Sequence, residues 1–166
     1  MKAKAVISYK PIGIIHTGFK DCKDTPIQSA LSDADGTVEV FTEYSSGLKD
    51  IEGFSHIFLI YHFHQAGACS LVQKPFLDNK KQRGIFAIRH FNRPNPIGLS
   101  IVELRGVKGN ILEIRGADML DGTPLLDIKP YIRQFDCREN ARSGWVDEQK
   151  FEISDVKKYT PGSLQK

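Results

Sequence analysis

A chain of 166 residues with 40% hydrophobic and 26% charged residues carries enough apolar material for one core, and its balance is that of a water-soluble globular domain. No run approaches the ~18 apolar residues of a membrane span. A net charge of +3 is too mild to signal a nucleic-acid partner by itself.

The start, MKAKAVISYKPIG, has lysines but no apolar core and no cleavage pattern, so it does not read as a signal peptide. Residues 5–16, AVISYKPIGIIH, form a β-branched run interrupted by Pro11. TVEVFTEY (37–44) follows the turn DADG and predicts a strand. SGLKDIEGF (46–54) predicts one or two helical turns, with Ser45 or Ser46 as N-cap and Gly53 as the stop. HIFLIYHFH (56–64) predicts a strand buried on at least one face. GACSLVQKPF (67–76) is ambiguous between helix and strand. GIFAIRH (84–90), LSIVELRG (99–106) and ILEIRG (111–116) predict three more strands, the last two joined as a hairpin through VKGN.

Many short strands with tight turns indicate a mainly β fold, a small single-domain barrel or sandwich with short helices. The connections are too short for repeated βαβ units, and no GxGxxG follows a first strand, so no Rossmann-type site is signalled. The predicted organisation is a barrel domain over residues 1–137 and a polar tail over 138–166 that packs on the barrel or on a partner subunit. Three cysteines, Cys22, Cys69 and Cys137, are odd in number and far apart. They argue for a reducing compartment, the cytoplasm, and against a disulfide framework or a zinc knuckle.

His56, His62 and His64 share parity on one predicted strand and would point to one face. No carboxylate accompanies them, so no metal is expected there. Ser-His-Asp catalysis has no GxSxG elbow to support it, and no motif marks a cysteine as a nucleophile. Between Lys74 and Arg93 there are six basic residues (Lys74, Lys80, Lys81, Arg83, Arg89, Arg93) against one acid, Asp78. This is either a solvated loop or a phosphate-facing patch.

Two segments are stiffened by proline. In RPNPIG (93–98) each proline fixes its own φ and drives Arg93 or Asn95 toward extended geometry, so the segment is ordered before any ligand arrives. It reads as a rigid strand entry or as one wall of a ligand site. In DMLDGTPLLDIKPY (118–131), Asp127 and Lys129 share a strand face and Tyr131 follows a second proline. An acid, an ammonium and a phenol placed together can move protons and place charge, or form a surface ion pair of little energetic value.

GIFAIRHFNRPNPIGLSIVEL and DMLDGTPLLDIKPY resemble the hallmark segments of the TsaA-like (TrmO) family. PIGIIHTGFK, GLKDIEGFSHIFLIYHFHQ and FDCRENARSGW extend the likeness over nearly the whole chain. The resemblance implies a small non-Rossmann β-barrel that forms homodimers and binds S-adenosylmethionine near the interface. It implies methylation of tRNA on the exocyclic nitrogen of threonylcarbamoyladenosine beside the anticodon. The family's cofactor contacts fall on Gln28, Ser29, Ala30, Leu31, His64, Gln65, Arg89, Leu99, Gly116, Ala117, Asp118 and Met119. The family's Pro-Arg-Gln-Pro is here Pro26-Ile27-Gln28-Ser29, and its Ala-Thr-Arg is Ala87-Ile88-Arg89. A catalytically silent barrel that binds adenosylmethionine or RNA, and a methyltransferase with another acceptor, are the alternatives.

Methyl transfer needs the target nitrogen in line with the sulfonium methyl at about 3 Å, shielded from water. Arg89 suits the methionine carboxylate. Asp127 or Tyr131 is the expected proton acceptor, Asn95 and Lys129 are expected to orient the modified base, and Lys80, Lys81, Arg83 and Arg93 to meet anticodon-stem phosphates.

Overall fold

The computed structural model describes residues 6–78 and 80–149. Its strands are β1 (Gly13–Thr17), β2 (Asp35–Val40), β3 (His56–His62), β4 (Val72–Gln73), β5 (Arg83–Gly84), β6 (Ile97–Lys108), β7 (Ile111–Arg115) and β8 (Thr123–Pro130). A single α-helical turn, α1 (Arg133–Asp136), follows. Six strands close into an antiparallel barrel in the order β1-β2-β7-β6-β3-β8, with β8 pairing back to β1. Closure leaves no unpaired edge in the barrel. The short pair β4-β5 lies apart from it.

Alternation builds this barrel. In β3, Ile57, Leu59 and Tyr61 face the core and His56, Phe58, Ile60 and His62 face out. In β6, Gly98, Ser100 and Val102 face in and Ile97, Leu99 and Ile101 face out. Ile15, Val38, Leu112, Ile114 and Leu125 complete the interior. Truncating a fully enclosed leucine such as Leu59 or Leu112 to alanine costs about 2–5 kcal/mol.

Gly98 answers the question of why RPNPIG ends in glycine. A Cβ there would stand 2.1 Å from the Tyr61 ring. Tyr61 and Gly98 are direct cross-strand partners, so the ring lies flat over the bare backbone. Its hydroxyl then reaches Ser100 at 3.0 Å.

Several predicted elements are shorter or different. The run 5–16 becomes a strand only after Pro11, at Gly13, and its residue 5 lies outside the described residues. The strand predicted over 37–44 ends at Val40, and Thr42–Leu48 continues as a 3₁₀ helix. The helical turns predicted over 46–54 are two 3₁₀ segments broken at Asp50, whose φ is +67°. The first has Phe41, not Ser45 or Ser46, as its N-cap. GIFAIRH is not a strand: Ile85–Ala87 is a 3₁₀ turn. Its buried residues are Ile85 and Ile88, a spacing of three that suits a turn and not the two-residue repeat of a strand. The β6–β7 hairpin stands as expected, turning at Gly109 with φ +63°.

Candidate functional site

A groove of about 680 Å³ runs along the outside of the barrel, within the size range of small-molecule sites. Gln28, Ser29 and Ala30 form one bank, where Ser29–Leu31 makes a 3₁₀ turn. Leu99 and Ile101 from β6 and Phe58 from β3 form an apolar floor, and Arg89, Gly116 and Tyr131 close its ends and rim. The first bank is tied down. Ala34 O accepts from the amides of Gly116 and Ala117, and Ser32 Oγ donates to Ala117 O at 2.5 Å. Gly116 takes φ +94°, a conformation that strains any L side chain, while a Cβ there would make only ordinary contact with Ser29 O at 3.5 Å.

Arg89 projects from the loop after the 85–87 turn, and its Nη1 donates to Gln28 Oε1 at 2.6 Å. The contact joins residues 61 positions apart and fixes a cation at the rim of the groove.

Behind the groove runs a chain of polar groups through the barrel wall. Tyr61 Oη and Ser100 Oγ lie 3.0 Å apart, and Ser100 Oγ donates to Asp118 Oδ1 at 2.6 Å. Burial pushes the Asp118 carboxyl up to about 6, although Ser100, the Ser29 amide and the Arg89 charge all favour its ionised form. Burial, aided by the Asp118 charge, raises the Tyr61 phenol far above its usual range.

The residues expected to meet the cofactor therefore divide. Gln28, Ser29, Ala30, Arg89, Leu99 and Gly116 line the groove. His64, Gln65, Asp118 and Met119 line a smaller hollow of about 50 Å³, where His64 Nδ1 lies 3.5 Å from Thr123 Oγ1. Ala117 is wholly buried and Met119 nearly so, both in the core cluster. Leu31 lies half-buried in the same 3₁₀ turn as Ser29 and Ala30.

The histidine expectation needs correction. His56 and His62 do face outward together, but His64 lies beyond the end of β3 and belongs to the hollow. Among the described residues, no group of three or more His, Cys, Asp or Glu side chains could hold a metal ion.

Of the residues expected to act on the acceptor, Tyr131 lines the groove, its ring 5.7 Å from that of Phe58 and 6.3 Å from that of His56. Lys129 Nζ pairs with Asp127 Oδ2 at 2.8 Å on the outer face of β8, opposite Phe58 and Ile60. Asn95 is exposed in the bend before β6, where its carbonyl accepts from the Ile97 amide at 2.8 Å.

The basic stretch also divides. Lys74, Lys80 and Lys81 are exposed. Arg83 is paired with Asp78 at 3.0 Å, and its guanidinium carbon lies 4.6 Å from the centre of the Trp145 ring. Arg93 Nη1 donates to the carbonyls of Ile85 and Ile88 at 3.1 and 2.8 Å, so it holds the turn that carries Arg89. Sequence reasoning missed Ser32, Tyr61 and Ser100. A serine at an inward position of β6, between Gly98 and Val102, was the available signal.

A closed antiparallel barrel with a lateral groove and no glycine-rich βα turn is a small-molecule-binding barrel outside the Rossmann class. The tRNA-methyltransferase O N-terminal domain matches residues 14–137, and the chain belongs to that family. It is 60% identical over 144 residues to a probable S-adenosyl-L-methionine-binding protein of Pyrococcus abyssi, a match covering 86% of this chain and 78% of the relative. It is 34% identical over 146 residues to the human tRNA (adenine(37)-N6)-methyltransferase, covering 83% of this chain and 33% of that enzyme. A crystal structure of TrmO from Pseudomonas aeruginosa superposes with a TM-score of 0.73 at 37% identity, covering 89% of this chain and 64% of that one. The chain thus spans a third of the human enzyme and under two thirds of the bacterial one.

Proposed function

We propose that this chain is an S-adenosylmethionine-dependent methyltransferase acting in the cytoplasm on the exocyclic nitrogen of threonylcarbamoyladenosine beside the anticodon of tRNA. Family membership supports the reaction class, and the Arg89–Gln28 contact at the rim of the groove is the observation that carries it to this surface. The groove's chemistry suits the cofactor: a guanidinium for a carboxylate and the Leu99–Ile101–Phe58 floor for an apolar or aromatic part, while Asp118 in the smaller hollow offers a carboxylate to a sulfonium. Gln28, Ser29, Ala30, Leu31, Arg89, Leu99 and Gly116 would hold it from the groove, and His64, Gln65, Ala117, Asp118 and Met119 from the hollow behind. When bound, adenosylmethionine supplies an electrophilic methyl group.

This chain's own residues then orient the acceptor and exclude water. Tyr131 is the acceptor-side group within the groove. Asp127, Lys129 and Asn95 stand on the surface that the RNA would cross, with Asp127, held by Lys129 at 2.8 Å, as the carboxylate proposed for the proton the nitrogen sheds. Lys80 and Lys81 supply the phosphate contacts. Pairing with a second copy is part of the reading. The outward row Ile97, Leu99 and Ile101 is 41%, 60% and 40% exposed, an apolar strip that runs from Ile97 into the floor of the cofactor groove and favours burial. Exposed, unpaired Cys22, Cys69 and Cys137 suit a reducing cytoplasm.

The test is mass spectrometry of tRNA nucleosides from cells with and without the protein. The reading predicts loss of the N6-methyl mark from threonylcarbamoyladenosine, and an unchanged nucleoside profile rejects it. The alternative, a barrel that binds adenosylmethionine without turnover, draws on Ile27 and Ser29 standing where the family pattern has arginine and proline. Cofactor binding with no methyl transfer to any tRNA favours that alternative.

A further inference from the structure

We infer that a second groove, on the other side of the Gln28–Arg89 pair, is the seat of the unstacked adenine base of the RNA acceptor. This rests on the tRNA reading above and specifies where its substrate binds.

The second groove is about 630 Å³ and shares Gln28 and Arg89 with the first. Its walls are rings. Phe76 and His90 stack at 4.8 Å and 13°. Phe86 is 80% exposed and lines the same groove, an unusual position for a phenylalanine. Trp145 forms the facing wall and is held in place, since its Nε1 donates to Ala87 O at 2.8 Å and Arg83 covers its ring at 4.6 Å. Arg93 fixes the backbone of the same turn through Ile85 and Ile88. The walls are therefore built without a ligand.

Flat rings around an open slot suit a nucleobase, because every base presents a π-face and base–aromatic stacking is worth about 1–3 kcal/mol. Enzymes that modify a base must first take it out of its stack, and single-stranded RNA loops are read by stacking on aromatic side chains. The groove is also where charge fits. Lys74 precedes its Pro75–Leu77 lip, and Lys80 and Lys81 follow. Those cations suit the phosphates on either side of an inserted base. Its position is the stronger argument. Donor and acceptor atoms must come within about 3 Å, and two grooves divided by one side-chain pair place two ligands edge to edge.

The experiment uses the full chain and two anticodon stem-loop RNAs, one with adenosine 3′ of the anticodon and one with an abasic site there. Trp145 is the single tryptophan, so its emission reports on the groove alone. Wild type is expected to bind the adenosine RNA about tenfold more tightly than the abasic RNA, with Trp145 emission quenched by the first only. Phe86→Ala should lose that preference while its affinity for S-adenosylhomocysteine stays within about twofold. Phe135→Ala, which removes a similarly exposed ring on α1 outside the groove, should behave as wild type. Three results overturn the inference: no preference in wild type, an undiminished preference in Phe86→Ala, or equal loss of RNA and cofactor affinity in that variant. The two readings fail separately. Base-dependent binding without methyl transfer keeps the groove and rejects the reaction, whereas normal tRNA methylation by Phe86→Ala keeps the reaction and rejects the groove.

Discussion

Arg89 Nη1 donates to Gln28 Oε1 at 2.6 Å, and this pair borders both grooves. One partner comes from the loop before β6 and the other from the segment before the Ser29–Leu31 turn. The contact thus decides how far apart the two banks stand. It also positions the Arg89 guanidinium, which faces the proposed cofactor site from a turn braced by Arg93.

That bracing separates the two kinds of arginine in the basic stretch. Arg93→Ala leaves the carbonyls of Ile85 and Ile88 without their donor. It should destabilise the fold by about 1–3 kcal/mol in urea unfolding while leaving the salt dependence of RNA binding unchanged. Unaltered stability would show that those hydrogen bonds do not hold the turn.

Lys80 and Lys81 should behave the opposite way. Each exposed lysine changed to alanine should remove a proposed phosphate contact and leave the packing of the fold intact. The double variant should keep its unfolding midpoint and flatten the plot of log affinity against log salt by about two counterions' worth of slope. An unchanged slope removes this edge from the RNA surface.

Asp118 makes the stability pH-dependent in a defined direction. Its folded value near 6 lies above the 3.8 of a free aspartate, so between these values the folded chain holds a proton that the unfolded chain has released. Stability from this group is therefore present below about pH 4 and lost as pH rises through about 6. Asp118→Asn keeps the shape and cancels the titration. The stability of the variant relative to wild type should rise by about 1–3 kcal/mol from about pH 4 to about pH 7 and be flat above. A pH-independent difference contradicts the enclosed, Ser100-bonded carboxyl described above.

Gly98→Ala should be among the most damaging single methyl additions in the chain. The new Cβ would meet the Tyr61 ring at 2.1 Å, and moving that ring breaks its contact to Ser100 as well. A loss of about 1–3 kcal/mol or more is expected, measured by thermal unfolding. A neutral result would mean that Tyr61 does not lie across β6.

The barrel was legible in the sequence where alternation was clean. β3 and the β6–β7 hairpin repeat with period two and turn at a glycine, so their existence and pairing followed from local pattern. GIFAIRH misled because its composition is that of a strand while its buried pair, Ile85 and Ile88, is spaced three apart. The proline-stiffened RPNPIG segment could be recognised as pre-ordered, but not that its glycine accommodates a tyrosine from another strand. The Tyr61–Ser100–Asp118 chain was illegible because its members lie 39 and 18 positions apart and only tertiary contacts, the β3–β6 pairing among them, join them. The aromatic groove was hidden for a similar reason: Phe76, the Phe86–His90 pair of GIFAIRH and Trp145 come from three separate segments, each unremarkable alone. Of the four residues expected to act on the acceptor, sequence spacing could pair Asp127 with Lys129. It could not show that Tyr131, past the end of β8, is the one that turns into the groove.

The most direct test of the whole account is single-turnover transfer of labelled methyl from S-adenosylmethionine to tRNA bearing unmethylated threonylcarbamoyladenosine, run side by side with wild type and Arg89→Ala. The account predicts label on the exocyclic nitrogen with wild type. For Arg89→Ala it predicts cofactor affinity weaker by about tenfold to a hundredfold, since a charge-assisted hydrogen bond is lost, with transfer restored in part at saturating cofactor. Full transfer by Arg89→Ala at wild-type cofactor affinity would contradict the placement of the cofactor beside the Arg89–Gln28 pair.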